Sequence, residues 1–484
     1  MKDFYTIRIN FKGGIASPGE LKEILTIAKI VQIPEVSLSL RQQVILHLPH
    51  EHSKKFEQLM KQINVNYLID SNRIPNLVSS YVGEDVFQKG NWITEGIYKD
   101  IFDNFDYEPL LKINISDNSQ SFTPFFSGHL NFVASNTPNF WYLFLRLPKT
   151  NEIHSFGKLI FTNEIANISK YLEQKIASYP ELKAGQYLEE LPNIISINKD
   201  EELILPKFTL PYYEGFNRYG NKTWLGIYRR NERFSVNFLS EVCDLCLLTK
   251  VGEICLTPWK SIIIKGIESG DRKYWSSILA KYNINVRHAA NELNWQVEDD
   301  SEVALQLKNK MVEGFNKIDI RTFGICFGIK TVPKTEVFAS IMIQRRRFKI
   351  FNIIPSSFFV YDISYTRDFD PNGRTKVFYA KGVLLLNLAE QLRRSVLFYN
   401  GQLSENSIQI LSNQIENEEI KKTNIKKVFK CPTCFSIYDN SFGDELANIP
   451  AGITFENLPE NYKCGICEEP KLNFIKIEVL ENVI

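Results

Sequence analysis

Near the end of the chain, Cys431-Pro432-Thr433-Cys434 is followed after 29 residues by Cys464-Gly465-Ile466-Cys467. Two CxxC pairs at this distance can bring four thiolates onto one tetrahedral metal. No other feature constrains the fold so strongly. A segment of this length buries too little apolar surface to stand alone. A metal bound only in the folded state supplies what the core lacks. Spacing alone leaves iron and zinc both open, because each accepts four thiolates in a tetrahedron.

The residues between and around the pairs are rich in Gly, Pro and Asn. They run through Tyr438-Asp439, Gly443-Asp444, Ile449-Pro450-Ala451-Gly452 and Phe455-Glu456-Asn457-Leu458-Pro459 to Tyr462, Lys471 and Phe474. Over residues 429–476 this text resembles rubredoxin. The resemblance implies one iron in an Fe(Cys)4 centre, with Cys431, Cys434, Cys464 and Cys467 as ligands and one-electron transfer as the activity. It also implies a small aromatic core of Tyr438, Phe455, Tyr462 and Phe474. Phe435 and Glu468 stand where the family usually has glycine at positive φ, at a cost of roughly 1–2 kcal/mol each if the turn is kept. Tyr462 stands for the usual Trp, and Gly465 for the usual Pro.

The chain has 484 residues, 44% of them hydrophobic and 23% charged, as in an ordinary globular protein of several domains. No run of about 18 apolar residues appears, so no membrane span is expected. The segment Met1 to Asn10 lacks the apolar core of a signal peptide, and the cytoplasm is the expected compartment. There thiols stay reduced and CxxC pairs read as metal or redox sites. The net charge of +1 gives no case for nucleic acid. Residues 431–484 hold nine acidic and three basic side chains, so a C-terminal net of −6 faces +7 on the rest. Opposite charge favours docking of the acidic domain on the body, alongside a redox partner protein or reductase. Residues 401–428 read as a polar linker with a turn-rich start at Gly401 to Ser407.

The body carries an internal repeat. Leu21, Ile24, Leu25, Ala28 and Val31 form one helix face, followed by a strand over Val36 to Leu46. A helical stretch from Phe234 to Leu248 precedes a second strand over Gly252 to Ile264, about 218 residues on. Ser39-Leu40-Arg41-Gln42 aligns with Thr257-Pro258-Trp259-Lys260. A doubled helix-on-strand unit predicts a duplicated α+β architecture. These residues, with Pro109-Leu110-Leu111-Lys112-Ile113-Asn114-Ile115-Ser116, resemble the siroheme-containing nitrite and sulfite reductases, whose repeats open with ferredoxin-like half-domains.

The resemblance implies repeats over 1–210 and 211–400, with half-domains at about 1–65 and 217–290, before the rubredoxin-like domain at 429–476. It places Arg41 and Lys112 in the family's cofactor-facing anion clamp, while Trp259 replaces a cation in the other repeat. Family members hold siroheme and a 4Fe-4S cluster through a C-x5-C and a C-x3-C pair. This chain has neither pair, and only Cys326 falls in the corresponding region. A degenerate scaffold is therefore expected, with an electron carrier as the leading function. A divergent siroheme and iron–sulfur oxidoreductase fed by its own rubredoxin is one alternative. A structural zinc ribbon on a binding scaffold is the other.

The remaining motifs weigh less. Cys243, Cys246 and Cys255, with Cys326, read as buried core thiols, with a second metal site as the sharper alternative. His47, His50 and His52 read as a solvated strand-to-helix turn. The polar run Arg287 to Trp295 and the triplet Arg345-Arg346-Arg347 read as surface, with a pocket and an acidic partner as their respective functional alternatives. Phe140 to Leu147 reads as a buried strand. No phosphate loop, dinucleotide fingerprint or nucleophile elbow is present.

Overall fold

The computed structural model describes residues 3–71, 73–84, 86–87, 92–333, 336–350, 354–421 and 425–480. The chain divides into two compact units, Met1–Val396 and Leu397–Ile484. In the first unit the helix face read from the sequence is buried as expected, with Leu21, Ile24, Leu25, Ala28 and Val31 all inside. The helix runs Pro18–Ile30 and packs against its counterpart, Val236–Leu248.

Two five-stranded sheets flank these helices, and each borrows its edge from the other repeat. In the first, Phe4–Asn10, Glu35–Leu38, Gln43–Pro49 and Leu68–Ile69 are joined by Arg233–Ser235 from the second repeat. In the second, Gly215–Tyr219, Lys222–Ile227, Ile254–Leu256 and Ile262–Ile267 are joined by Ile15–Ala16 from the first. This reciprocal exchange locks the two half-domains together. Residues of both repeats share one core around Ile24, Leu25, Leu239 and Val242.

The duplication continues beyond the half-domains. Asn76–Ser79, Lys112–Ser116 and Leu130–Ala134 run parallel, and Phe140–Leu145, His154–Phe161 and Ser196–Asn198 complete the sheet antiparallel. Trp295–Val297, Phe327–Lys330 and Ile341–Ile350 repeat the parallel part, closed by antiparallel Ile354–Thr366 and Lys376–Val383. The helices Glu95–Asp103 and Glu302–Asn316 supply the first crossover of each, as a parallel pair requires. Leu130–Ala134 is apolar but for Asn131 and buried throughout, the pattern of a strand covered on both faces.

Two sequence expectations change. The strands read over Val36 to Leu46 and Gly252 to Ile264 are each a hairpin broken at the motif itself. Ser39 N–H donates to Gln43 O (3.0 Å) and Gln42 N–H to Ser39 O (3.1 Å). Thr257 N–H donates to Ser261 O (3.0 Å) and Lys260 N–H to Thr257 O (3.2 Å). Gln42 and Lys260 sit at φ 57° and 53°, a left-handed residue closing each turn. The side chains repeat too, since Ser39 Oγ and Thr257 Oγ1 each accept two backbone N–H groups of their own loop. The aligned tetrapeptides are thus equivalent turns.

The second difference is the expected turn at 401–407. The backbone there is helical, within Leu385–Lys421, and Ser404 Oγ bonds back to the carbonyls of Asn400 and Gly401. The side chains of 406–426 lie outside the described residues. In the second unit, Ile437–Tyr438, Ile425–Lys430 and Ile475–Leu480 form a three-stranded sheet.

Among the described residues, no helix is long and apolar enough to cross a membrane.

Candidate metal centre

The two CxxC pairs form loops with the same hydrogen-bond pattern and the same hand. Cys431 N–H donates to Ser436 O (2.8 Å) and Phe435 N–H to Cys431 O (3.0 Å). Cys464 N–H donates to Glu469 O (2.9 Å) and Glu468 N–H to Cys464 O (2.9 Å). These bonds hold Phe435 at φ 63° and Glu468 at φ 60°, so the glycine-type turn is kept by residues that pay a steric cost for it. Lys430 lies over the exposed Phe435 ring, 4.5 Å from its centroid.

The loops bring all four sulfurs within 4.8 Å of one another, and the cluster could hold a metal ion. Cys431 and Cys467 sulfurs are 3.5 Å apart, as are those of Cys434 and Cys464. Such separations suit four thiolates around one tetrahedral iron or zinc. Cys431 and Cys464 are buried, Cys434 and Cys467 half-exposed. The Ser436 hydroxyl and its own backbone N–H hold the Cys434 thiol down at about 6.

The aromatic core forms under the loops. Tyr438, Phe455, Leu458 and Tyr462 are buried, with Phe474 packed on them. Phe429 adds a stacked ring at 3.9 Å from Phe455. Tyr462 donates to Asp444 Oδ2 (2.6 Å), and a Cβ on Gly465 would lie 2.7 Å from Asp444 Oδ1. The Tyr and Gly that depart from the rubredoxin pattern therefore both lie against Asp444.

In the body, Arg41 and Lys112 lie close together on protein acceptors. Arg41 is 1% exposed. Its guanidinium donates to Asn114 Oδ1 (3.2 Å), Asn76 O (2.8 Å) and Ile113 O (3.3 Å), and burial pulls it down to about 10. Lys112 pairs with Glu336, yet burial still lowers its ammonium below the usual range. His129, whose Nδ1 accepts the Lys112 N–H, is held down to about 3 by burial and by Arg146, Lys112 and Arg41.

Beside Glu336 opens a cavity of about 140 Å³ lined by Arg146, Arg374 and Lys376, among others. Sequence reasoning missed these three cations. Arg146 sits far along the chain from Arg374 and Lys376, and only the folded body gathers them. Trp259, at the equivalent tip of the second repeat, is buried and donates to Phe122 O (2.8 Å).

The body cysteines do not converge. Cys243 and Cys246 lie in the half-domain core, while Cys255 and Cys326 lie in the second core. Burial pushes Cys243 and Cys326 up to about 12 and Cys255 to about 11, and raises Cys246 as well. Among the described residues, the C-terminal tetrad is the one cluster of this kind.

The remaining motifs also find separate places. His47 meets Asp300, His50 packs on Tyr5 with the rings tilted at 52° and His52 faces Glu51. Arg345 lies over Phe359 and Arg346 pairs with Asp362. Ala289, Ala290, Asn291, Leu293 and Asn294 border a second cavity of about 500 Å³.

Residues 428–474 match the family model for rubredoxin. Rubredoxin-2 of Chlorobaculum tepidum is 43% identical over 49 residues, 94% of its length and 10% of this chain. A probable rubredoxin, HupI, of Bradyrhizobium diazoefficiens is 41% identical over 49 residues, 71% of its length and 10% of this chain. The solved structure of the Mycobacterium tuberculosis NirA protein superposes with a TM-score of 0.59 at 14% identity, over 81% of this chain and 80% of that one. At that identity the likeness is one of fold, and a coverage so large must include the duplicated α+β body. With its four cysteines gathered on a rubredoxin fold, this chain belongs, through residues 428–474, to the rubredoxin family.

Proposed function

We propose that the protein is a one-electron carrier whose centre is a single iron held by Cys431, Cys434, Cys464 and Cys467. The observation that carries this reading is the convergence of four sulfurs within 4.8 Å on a rubredoxin fold. Iron bound there supplies reversible one-electron chemistry. The chain's own part is to keep the tetrahedron unchanged between states. Two hydrogen-bonded loops fix the sulfurs, and the aromatic core fixes the loops. A site that moves little on changing charge exchanges electrons with little reorganisation. The acidic C-terminal domain and the basic remainder carry opposite net charge, which supports docking of carrier on body or on a basic redox partner.

A second reading has one specific observation in its favour. Arg146, Arg374 and Lys376 line a small cavity beside the Glu336 carboxylate, which Lys112 pairs, and this excess of cations suits a small oxyanion. On that reading the body is a divergent reductase of the nitrite and sulfite type, fed by its own rubredoxin domain.

Anaerobic purification, followed by the absorption spectrum and by iron, zinc and tetrapyrrole content, tests both readings. One iron per chain, red when oxidised and bleached on reduction, is expected of the carrier. Tightly held zinc without reversible colour would overturn it. Extracted siroheme would establish the second reading.

A further inference from the structure

The second residue after each CxxC pair occupies equivalent positions, because Ser436 O and Glu469 O accept the N–H of Cys431 and Cys464 in turn. Their side chains do opposite things. The Glu469 carboxylate turns away to accept from Thr433 Oγ1 (2.7 Å) and from Asn473. The Ser436 hydroxyl turns inward. Its Oγ lies 3.2 Å from Cys434 Sγ and 3.1 Å from Cys464 Sγ, touching one sulfur of each loop.

We propose that Ser436 tunes the reduction potential of the centre through its single O–H donor, which it shares as one hydrogen bond between Cys434 Sγ and Cys464 Sγ. The inference rests on the reading that these cysteines hold iron. Metal-bound sulfurs are thiolates and carry no proton, so in the loaded site the hydroxyl is necessarily the donor. One-electron reduction by a partner adds one negative charge, which the four sulfurs share. A donor hydrogen bond strengthens as its acceptor gains charge. The hydroxyl therefore stabilises the reduced form more than the oxidised form and raises the potential. Ser436 is a positioning residue for charge and contributes no ligand. Backbone N–H donors to sulfur would remain in any variant, so this side chain is a separable contribution.

The test is a redox titration of the full chain as the parent, Ser436→Ala and Ser436→Thr proteins, each with its iron content measured. All three are expected to hold one iron. Ser436→Ala should move the equilibrium about tenfold toward the ferric form, about 59 mV lower for one electron. It should also shift the sulfur-to-iron absorption of the oxidised form to longer wavelength, because sulfur lone pairs without the donor lie higher in energy. Ser436→Thr keeps the hydroxyl and should restore the parent potential. An iron-loaded Ser436→Ala with unchanged potential and spectrum overturns the tuning role and leaves the iron reading intact. A parent chain without iron overturns the reading on which the inference rests. Iron lost from Ser436→Ala but kept by Ser436→Thr would make the hydroxyl a folding requirement and overturn tuning as its role.

Discussion

Glu468 offers a direct measure of what the metal loops cost the chain. It is exposed and sits at φ 60°, in the turn that follows Cys467. A residue with a Cβ loses about 1–2 kcal/mol in this left-handed region. Glycine escapes that loss but gives up about 0.5–1 kcal/mol through the greater freedom of its unfolded chain. Glu468→Gly should therefore stabilise the C-terminal unit by about 0.5–1 kcal/mol. For a unit of this size that is a rise of roughly 2–8 °C in melting temperature. Glu468→Ala removes the same carboxylate yet keeps the Cβ, so it separates strain from charge. Phe435→Gly is a second control. There the relief at φ 63° is offset by loss of the Lys430 contact over the ring, worth about 0.5–1 kcal/mol at an exposed site, and little net change is expected. The assay is loss of iron–thiolate absorption on heating the full chain at one fixed scan rate. A Glu468→Gly protein no more stable than Glu468→Ala would refute the strain argument.

Two further outcomes follow from the geometry. Cys434→Ala should abolish iron binding and unfold the C-terminal unit while circular dichroism still reports a folded body; retained iron would remove Cys434 from the ligand set. In the body, His129 is held down to about 3 from its ordinary 6.5 by burial and by Arg146, Lys112 and Arg41. The unfolded imidazole takes up a proton as pH falls through about 6.5 and the folded one does not until about 3, so stability falls with pH across that window. Urea midpoints at pH 7 and pH 5 should drop in the parent and drop less in His129→Asn; equal slopes would show that His129 does not carry the effect.

What could be read from the sequence depended on how local its cause was. The metal loops are local: four cysteines, the turns between them and four aromatic residues fall within one short stretch, and all meet. The helix face from Leu21 to Val31 was equally legible, because a 3.6-residue period needs no partner to be recognised. The hairpins were not. Val36 to Leu46 is apolar at both ends, and the break lies in four residues whose turn is closed by Gln42 at positive φ, a role usually marked by glycine or asparagine. The exchanged strands Ile15–Ala16 and Arg233–Ser235 are too short to leave a pattern, and their pairing exists only between repeats. The cations Arg146, Arg374 and Lys376 were invisible for the same reason. Gly401 to Ser407 misled in the opposite direction, since turn-forming residues there are carried inside a long helix.

The departures from the rubredoxin pattern look like separate losses when taken one at a time along the chain. The structure places two of them around one residue, Asp444. A tyrosine in place of tryptophan brings a hydroxyl, and Asp444 accepts it at 2.6 Å. The Asp444 carboxylate, which also accepts the Ala447 N–H (3.2 Å), lies with Leu446 over residue 465, where a Cβ would come within 2.7 Å of Asp444 Oδ1 and 2.8 Å of Leu446 Cβ. Glycine at 465 leaves that space open. The strained turns at Phe435 and Glu468 are likewise held by intact loop hydrogen bonds, two in each loop. What changes between this site and a glycine-turned one is therefore less the position of the sulfurs than what surrounds them. An aromatic ring and a carboxylate stand at the two turns, and a serine hydroxyl lies between two sulfurs. Substitutions of that kind alter the charge and hydrogen bonding felt by a bound metal while leaving its ligand geometry in place. The consequences of these departures are accordingly expected in the potential of the centre before they appear in its occupancy.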